Sequence, residues 1–274
     1  MRRGRLLIAL VMAGLALLSY YGVREFNPIT GETQHIGLTK DQEIAIGLQS
    51  APAMAEEMGG LDPDPALQAF VEEVGNRVAA RSVAAGTGYQ FSFHLLRDPQ
   101  TVNAFALPGG PIFITRGLLE RLGNEAQLAG VLGHEIGHVV GRHSAERIAK
   151  SQLAQQLVGA VGVATSDDYG PDRQAQAIAG VVSQMMQLRY GRSDELQSDT
   201  LGVRLMAEAG YDPRELLEVM RVLKESGGGG GQPEFMSSHP DPGNRDALIR
   251  EAIQARWPNG VPQELSTGRT ISAQ

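Results

Sequence analysis

The residues best suited to chemistry lie in one short stretch, Gly133-His134-Glu135-Ile136-Gly137-His138. In an α-helix, positions i and i+4 share a face one turn apart, so His134 and His138 can offer two imidazole nitrogens to one metal ion. Zinc–nitrogen bonds of roughly 2.0–2.1 Å need that convergence. Glu135 falls about 100° further round the same helix, beside the metal, where a carboxylate can take a proton from metal-activated water. The chain has no cysteine, which excludes thiolate ligands, a catalytic thiol and disulfides. A metal site here must be built from His, Asp and Glu.

A catalytic zinc usually keeps three protein ligands and one open position, so a third ligand must come from elsewhere. The nearest candidate is His143. It falls one place short of the last histidine in the pattern His-Glu-x-x-His-x-x-Gly-x-x-His: Gly141 fits, but the final position is Ser144. Helical periodicity continues past Gly141, and on such a helix His143 would point about 140° away from His138. The other candidates are Glu195 and Asp199, again i and i+4 and so on one helical face. One could bind the metal while the other accepts a hydrogen bond from a ligand imidazole. Taken alone, the pair reads more readily as the solvated acidic start of a helix.

Three further motifs accompany the first. They are Asn103-Ala104-Phe105-Ala106-Leu107-Pro108-Gly109-Gly110, the acidic pair in Glu195-Leu196-Gln197-Ser198-Asp199, and Ser237-Ser238-His239-Pro240 with Arg245 six residues beyond the histidine. In this order the four motifs resemble the Ste24-type family of zinc metallopeptidases, which includes the CAAX prenyl proteases, HtpX and periplasmic quality-control proteases. The resemblance covers about residues 40–255. It implies one Zn2+ per chain held by His134, His138 and Glu195, with Glu135 as general base and Asp199 orienting a metal-bound histidine. His239 and Arg245 would approach the site to steady the tetrahedral oxyanion, or His239 would fill the open metal position in a latent state. Gly191 and Ser198 stand where relatives carry Ser and Ala, and neither supplies a ligand. The implied activity is zinc-dependent endopeptidase cleavage of unfolded or misassembled polypeptides in envelope quality control. The alternative is a membrane-tethered, chaperone-like binding module with latent peptidase activity, suggested by the five-glycine run beside His239, since a loop of that composition could open or close the site.

The elements that must position these residues are mostly helical. Apolar residues at three- and four-residue spacing predict helices over Asp41–Met58, from Asp62-Pro63 through Val78, and over Gln174–Leu188, Asp194–Ala209, Asp212–Ser226 and Asn244–Arg256. The metal helix should start at an Asn124 cap and run on unusually far, through Leu157. Thr165–Arg173 and Gly227–Gly231 read as loops. Tyr89–Leu96 alternates like a half-buried strand, and two short strands flank the Pro108-Gly-Gly-Pro111 turn. The expected fold class is α+β, predominantly helical and zincin-like, with a small sheet whose edge strand precedes the metal helix. Asn103, Ala104, Phe105 and Ala106 in that strand could pair with an extended substrate backbone.

The 274 residues are 42% hydrophobic and 20% charged, enough for one substantial catalytic domain. With a net charge of −7 nothing points to nucleic acid, and 5% aromatic residues with a single Trp257 argue against a base-stacking surface. Arg2, Arg3 and Arg5 precede an uncharged apolar run, Leu6–Val23. Leu17, Leu18, Tyr20 and Tyr21 occupy places where signal cleavage wants small residues, which favours an uncleaved signal anchor over a signal peptide. The arginines place the N-terminus in the cytoplasm. The chain then reads as inner-membrane anchored in a bacterial envelope and facing the periplasm, or secreted there if the signal is cleaved. Residues 24–40 read as a tether, 41–257 as the metallopeptidase domain and 258–274 as a disordered tail.

Overall fold

The structure, a computed structural model, describes residues 2–165, 190–226, 234–240 and 243–271. The expected helix at Gln174–Leu188, most of the expected loop at Thr165–Arg173 and the five glycines lie outside the described residues. The chain divides into two compact units, one made of Lys40–His143 and Arg189–Gln274, the other of Met1–Thr39 and Ser144–Leu188.

The first unit carries every candidate site residue. It contains helices α2 (Lys40–Glu57), α3 (Pro65–Arg81), α4 (Arg116–Leu119) and α5 (Glu125–Val140). Helices α7 (Arg192–Glu208), α8 (Glu215–Ser226), α9 (Glu234–Ser238) and α10 (Arg245–Arg256) follow. Helix α3 starts two residues after the expected Pro63, because Asp64 is the cap. Its carboxylate accepts from the backbone amides of Ala66 and Leu67 at 2.8 and 3.3 Å, and Pro65 fills the first helical position, where no amide is needed. Val71, Val74 and Val78 then form the buried face.

Strands β3 (Ser92–Leu96), β4 (Ala104–Ala106) and β5 (Pro111–Thr115) make one sheet in the order β3-β5-β4. β3 runs parallel to β5 and β4 antiparallel, with Phe105 opposite Phe113. β5 is buried along its whole length, as a central strand should be, and β4 is one of the two edge strands. The turn between them needs glycine: Gly109 has φ +80°, and a Cβ there would lie 2.3 Å from the Ile44 Cα. This puts the expected edge strand against α5.

Two sequence expectations give way here. The metal helix does not run on to Leu157. It ends at Val140, and a new helix, α6 (His143–Thr165), starts after Gly141 and Arg142, the latter with φ 57°. Periodicity looked continuous because apolar spacing survives a two-residue break. The tail is not wholly free either. The backbone carbonyls of Thr267 and Arg269 accept from the amides of Ala126 and Glu125 at 2.9 and 2.8 Å, and the Ile271 amide donates to Gly123 at 3.1 Å. The first amides of a fully buried helix need acceptors. Asn124 supplies one, to Gln127 at 3.0 Å, and the tail supplies two more through its backbone, which composition cannot show.

The second unit begins with α1 (Arg2–Gly22), of which Gly4–Gly22 is long and apolar enough to cross a membrane by length and composition. The expected tether holds a small hairpin, β1 (Glu25–Asn27) against β2 (Glu32–Gln34), where Asn27 Oδ1 accepts from the Ile29 amide at 2.9 Å.

Candidate metal centre

Helices α5 and α7 come close because small residues face each other. A Cβ on Gly137 would lie 3.2 Å from the Ser198 Cα, and one on Gly202 would lie 3.3 Å from the His134 amide nitrogen. A side chain at either crossing would press on the facing backbone and force it to give by a few tenths of an ångström, so with glycine there one turn of α7 is laid directly over the histidines. Glu195 and Asp199, one turn apart, then both reach them.

One nitrogen or oxygen from each of His134, His138, Glu195 and His239 lies within 4.8 Å of the others, all four residues being buried. His134 Nε2 is 3.1 Å from His138 Nε2 and 3.5 Å from Glu195 Oε2. His138 Nε2 is 3.5 Å from Glu195 Oε1. His239 Nδ1 is 3.0 Å from Glu195 Oε1, and its Nε2 faces Glu135 Oε1 at 3.6 Å. Asp199 Oδ1 lies 2.9 Å from His134 Nδ1. Arg245, the first residue of α10, donates through Nε and Nη2 to the two oxygens of Asp199 at 2.7 and 2.6 Å, and its Nη1 is 3.3 Å from Glu195 Oε2. The guanidinium thus holds Asp199 in a fork that lysine could not reproduce and sets a third nitrogen in an ion pair with Glu195.

His239 is held from behind. Its amide donates to the Phe235 carbonyl at 2.7 Å, the two rings stack at 4.4 Å, and the Phe235 amide donates to Val102 at 3.1 Å, just before β4. Tyr190 stacks on the His138 ring at 3.8 Å. Sequence reading gave no role to Tyr190 or Phe235, since a lone aromatic carries no signal until burial and ring contacts are known. His143, expected to point away, instead has its Nδ1 2.9 Å from His138 Nδ1. The sequence-predicted residues His134, Glu135, His138, Glu195, Asp199, His239 and Arg245 therefore meet in one cluster. Asn103, buried with its Oδ1 lacking a hydrogen-bond partner, and Ala104, Phe105 and Ala106 lie along the edge strand packed on α5.

These residues suit a divalent cation. Among the described residues, Glu195 Oε2, both Glu135 oxygens and His239 Nε2 are buried without a hydrogen-bond partner, Glu195 Oε2 having the Arg245 charge at 3.3 Å, and such groups are costly unless a cation or a water completes them. Protonation directions agree. Burial would lower the His134 pKa, but Asp199 and Glu195 outweigh it and push it up to about 9. His138, equally buried, lacks the Asp199 contact, so burial holds it well below the usual value. Burial raises Glu135, and the nearby histidines only partly oppose it. Burial would also raise Glu195 and Asp199. His239 and the hydrogen-bonding imidazoles hold Glu195 well down instead, and Arg245 does the same for Asp199.

A predominantly helical chain in which one helix supplies His-Glu-x-x-His and a second supplies a glutamate to a buried metal-binding group defines a zincin-like metallopeptidase. The chain belongs to peptidase family M48, whose family model matches residues 65–253. It is 27% identical to the beta-barrel assembly-enhancing protease of Yersinia pestis over 262 residues, 93% of this chain and 52% of that protein. Its identity to the Escherichia coli (strain K12) protein of the same name is 26%, over 86% of this chain and 51% of that one. The mitochondrial metalloendopeptidase OMA1 of Arabidopsis thaliana is 32% identical over 67% of this chain and 36% of its own length. The chain thus spans about half the length, or less, of these curated relatives.

Proposed function

We propose that this protein is a zinc-dependent endopeptidase that cleaves unfolded or misassembled polypeptides. The observation that carries the reading is the buried convergence of His134, His138 and Glu195 beside a Glu135 whose two oxygens have no hydrogen-bond partner among the described residues. His134, His138 and Glu195 would hold the zinc ion, and zinc when bound supplies Lewis acidity that acidifies water and polarises a carbonyl. Glu135 takes the proton of the attacking water and returns it to the leaving amine. Burial raises its pKa above the usual carboxylate value, the direction that strengthens it as a base. His239 Nε2, 3.6 Å from Glu135 Oε1 and without a hydrogen-bond partner among the described residues, is placed to donate where negative charge develops on the carbonyl oxygen. Arg245 acts at one remove, by fixing Asp199 and through it His134.

The edge position of β4 supports binding of an extended chain by backbone pairing, which reads little of the side-chain sequence. We assign the apolar Gly4–Gly22 helix as a signal anchor and the periplasm as the compartment of the catalytic domain. Names such as beta-barrel assembly-enhancing protease, at 93% coverage of this chain, support a place in envelope quality control.

The test compares wild type, Glu135→Gln and Glu195→Ala for zinc content and for cleavage of casein and of an unfolded outer-membrane protein. Glu135→Gln should keep zinc and lose at least about a hundredfold in rate, while Glu195→Ala should lose both. Cleavage by Glu135→Gln at the wild-type rate would refute the mechanism.

A further inference from the structure

We infer that His143 is a positioning residue for the metal centre: its Nδ1 accepts the Nδ1 proton of His138 and so turns the His138 Nε2 lone pair toward the metal. This rests on the metal-centre reading above and extends it to a residue outside the ligand set.

The two ring nitrogens lie 2.9 Å apart, so one must donate and the other accept. Gln197 decides which. Its Oε1 lies 2.8 Å from His143 Nε2, and a carbonyl oxygen can only accept, so the His143 proton sits on Nε2. That leaves His143 Nδ1 as the acceptor, with the Ser198 hydroxyl 3.3 Å from the same atom. His138 must then carry its proton on Nδ1 and present Nε2 unprotonated, the tautomer a metal ligand needs. His134 reaches the same tautomer through the Asp199 carboxylate. The two histidine ligands are therefore oriented differently, one by a charged group and the other by a neutral relay from α7.

The break between α5 and α6 makes this possible. Helix α5 stops at Val140, and Arg142 takes φ 57°, which swings His143 back across the last turn. The Arg142 guanidinium donates to Glu43 Oε1 of α2 through Nε and Nη2, at 2.8 and 2.5 Å, fixing the elbow in a buried ion pair. Gly141 leaves room for the ring: a Cβ there would lie 2.6 Å from His143 Nε2. His143 itself is 2% exposed, so its ring has no second orientation facing solvent.

The test measures zinc affinity of the full-length, detergent-solubilised protein by competition with a chromogenic chelator, alongside the melting temperature of each zinc-free variant. His143→Ala should weaken zinc binding about 10–100-fold, the range for lost ligand orienters. His143→Asn leaves a similar void but keeps an acceptor at the Nδ1 position, and it should restore most of the affinity. Gln197→Glu, which can only accept, should bind within about threefold of wild type, whereas Gln197→Leu should weaken binding like His143→Ala. If His143→Ala does not fold, the Gln197 pair carries the same comparison. Wild-type affinity in His143→Ala or Gln197→Leu, or equal loss in His143→Ala and His143→Asn, would overturn the inference and leave the metal centre standing. A wild-type protein that takes up no zinc would overturn both.

Discussion

Zinc uptake by the metal-free protein should release protons, and stability should depend on pH with opposite signs in the two forms. Glu135, Glu195, Asp199 and Arg245 are each 1% exposed or less. Three carboxylates and one guanidinium, with neutral imidazoles, give −3 + 1 = −2, which a divalent cation cancels. Without the cation, protons fill the role: His134 is pushed up to about 9 by Asp199 and Glu195 against its burial. At pH 7 the metal must therefore displace a proton held about 2 pKa units above ambient, which costs about 3 kcal/mol, or about a hundredfold in apparent affinity. The logarithm of that affinity should rise by about one per pH unit up to about pH 9. In the metal-free form the sign reverses. The His134 pKa is raised from 6.5 to about 9 on folding, so its contribution is complete below pH 6.5. It is lost as pH climbs through about 9, a change of about 3 kcal/mol. Calorimetric titration with zinc between pH 6 and 9, in buffers of different ionisation enthalpy, counts the protons, and thermal melts of both forms give the slopes. Zinc binding that releases no proton at pH 7 would refute this charge balance.

Other perturbations probe the scaffold. Arg245→Leu leaves Asp199 and Glu195 buried without their guanidinium and should cost about 3–5 kcal/mol in a denaturant titration, with zinc binding weakened as well. Arg245→Lys should recover only part, because it loses the fork. Gly202→Val sets a side chain against the His134 backbone; it should destabilise by about 1–3 kcal/mol and lower metal content by spreading α5 from α7. A chain ending at Gln263 removes the acceptors of the Glu125 and Ala126 amides. At about 1–3 kcal/mol for each stranded donor, its melting temperature should fall well below that of the intact chain.

Much of the site was legible because helix geometry is local. His134 and His138, and Glu195 and Asp199, are each four residues apart, so their shared faces follow from 3.6 residues per turn whatever surrounds them. The edge character of Ala104–Ala106 followed from a short strand closed by the Gly109-Gly110 turn. The end of the metal helix was not legible, because Arg142 at φ 57° is held by Glu43, 99 residues away, and no spacing rule records such a contact. The tail was misread for a similar reason. Its backbone, with no apolar pattern of its own, takes its order from the amides it caps.

By itself, then, the sequence determined which side chains could serve as ligands and base, and on which helical faces they stand. Only the tertiary structure decided that those faces meet. Gly137 and Gly202 let α5 and α7 approach closely, which puts both acidic residues of α7 on the histidines and Arg245 on both acids. It also decided what faces the far side of each imidazole: Asp199 lies on His134 Nδ1, and His143, itself against Gln197, lies on His138 Nδ1. Hydrogen-bond direction in a buried cluster depends on every neighbour at once, and those neighbours come together only when the chain has folded.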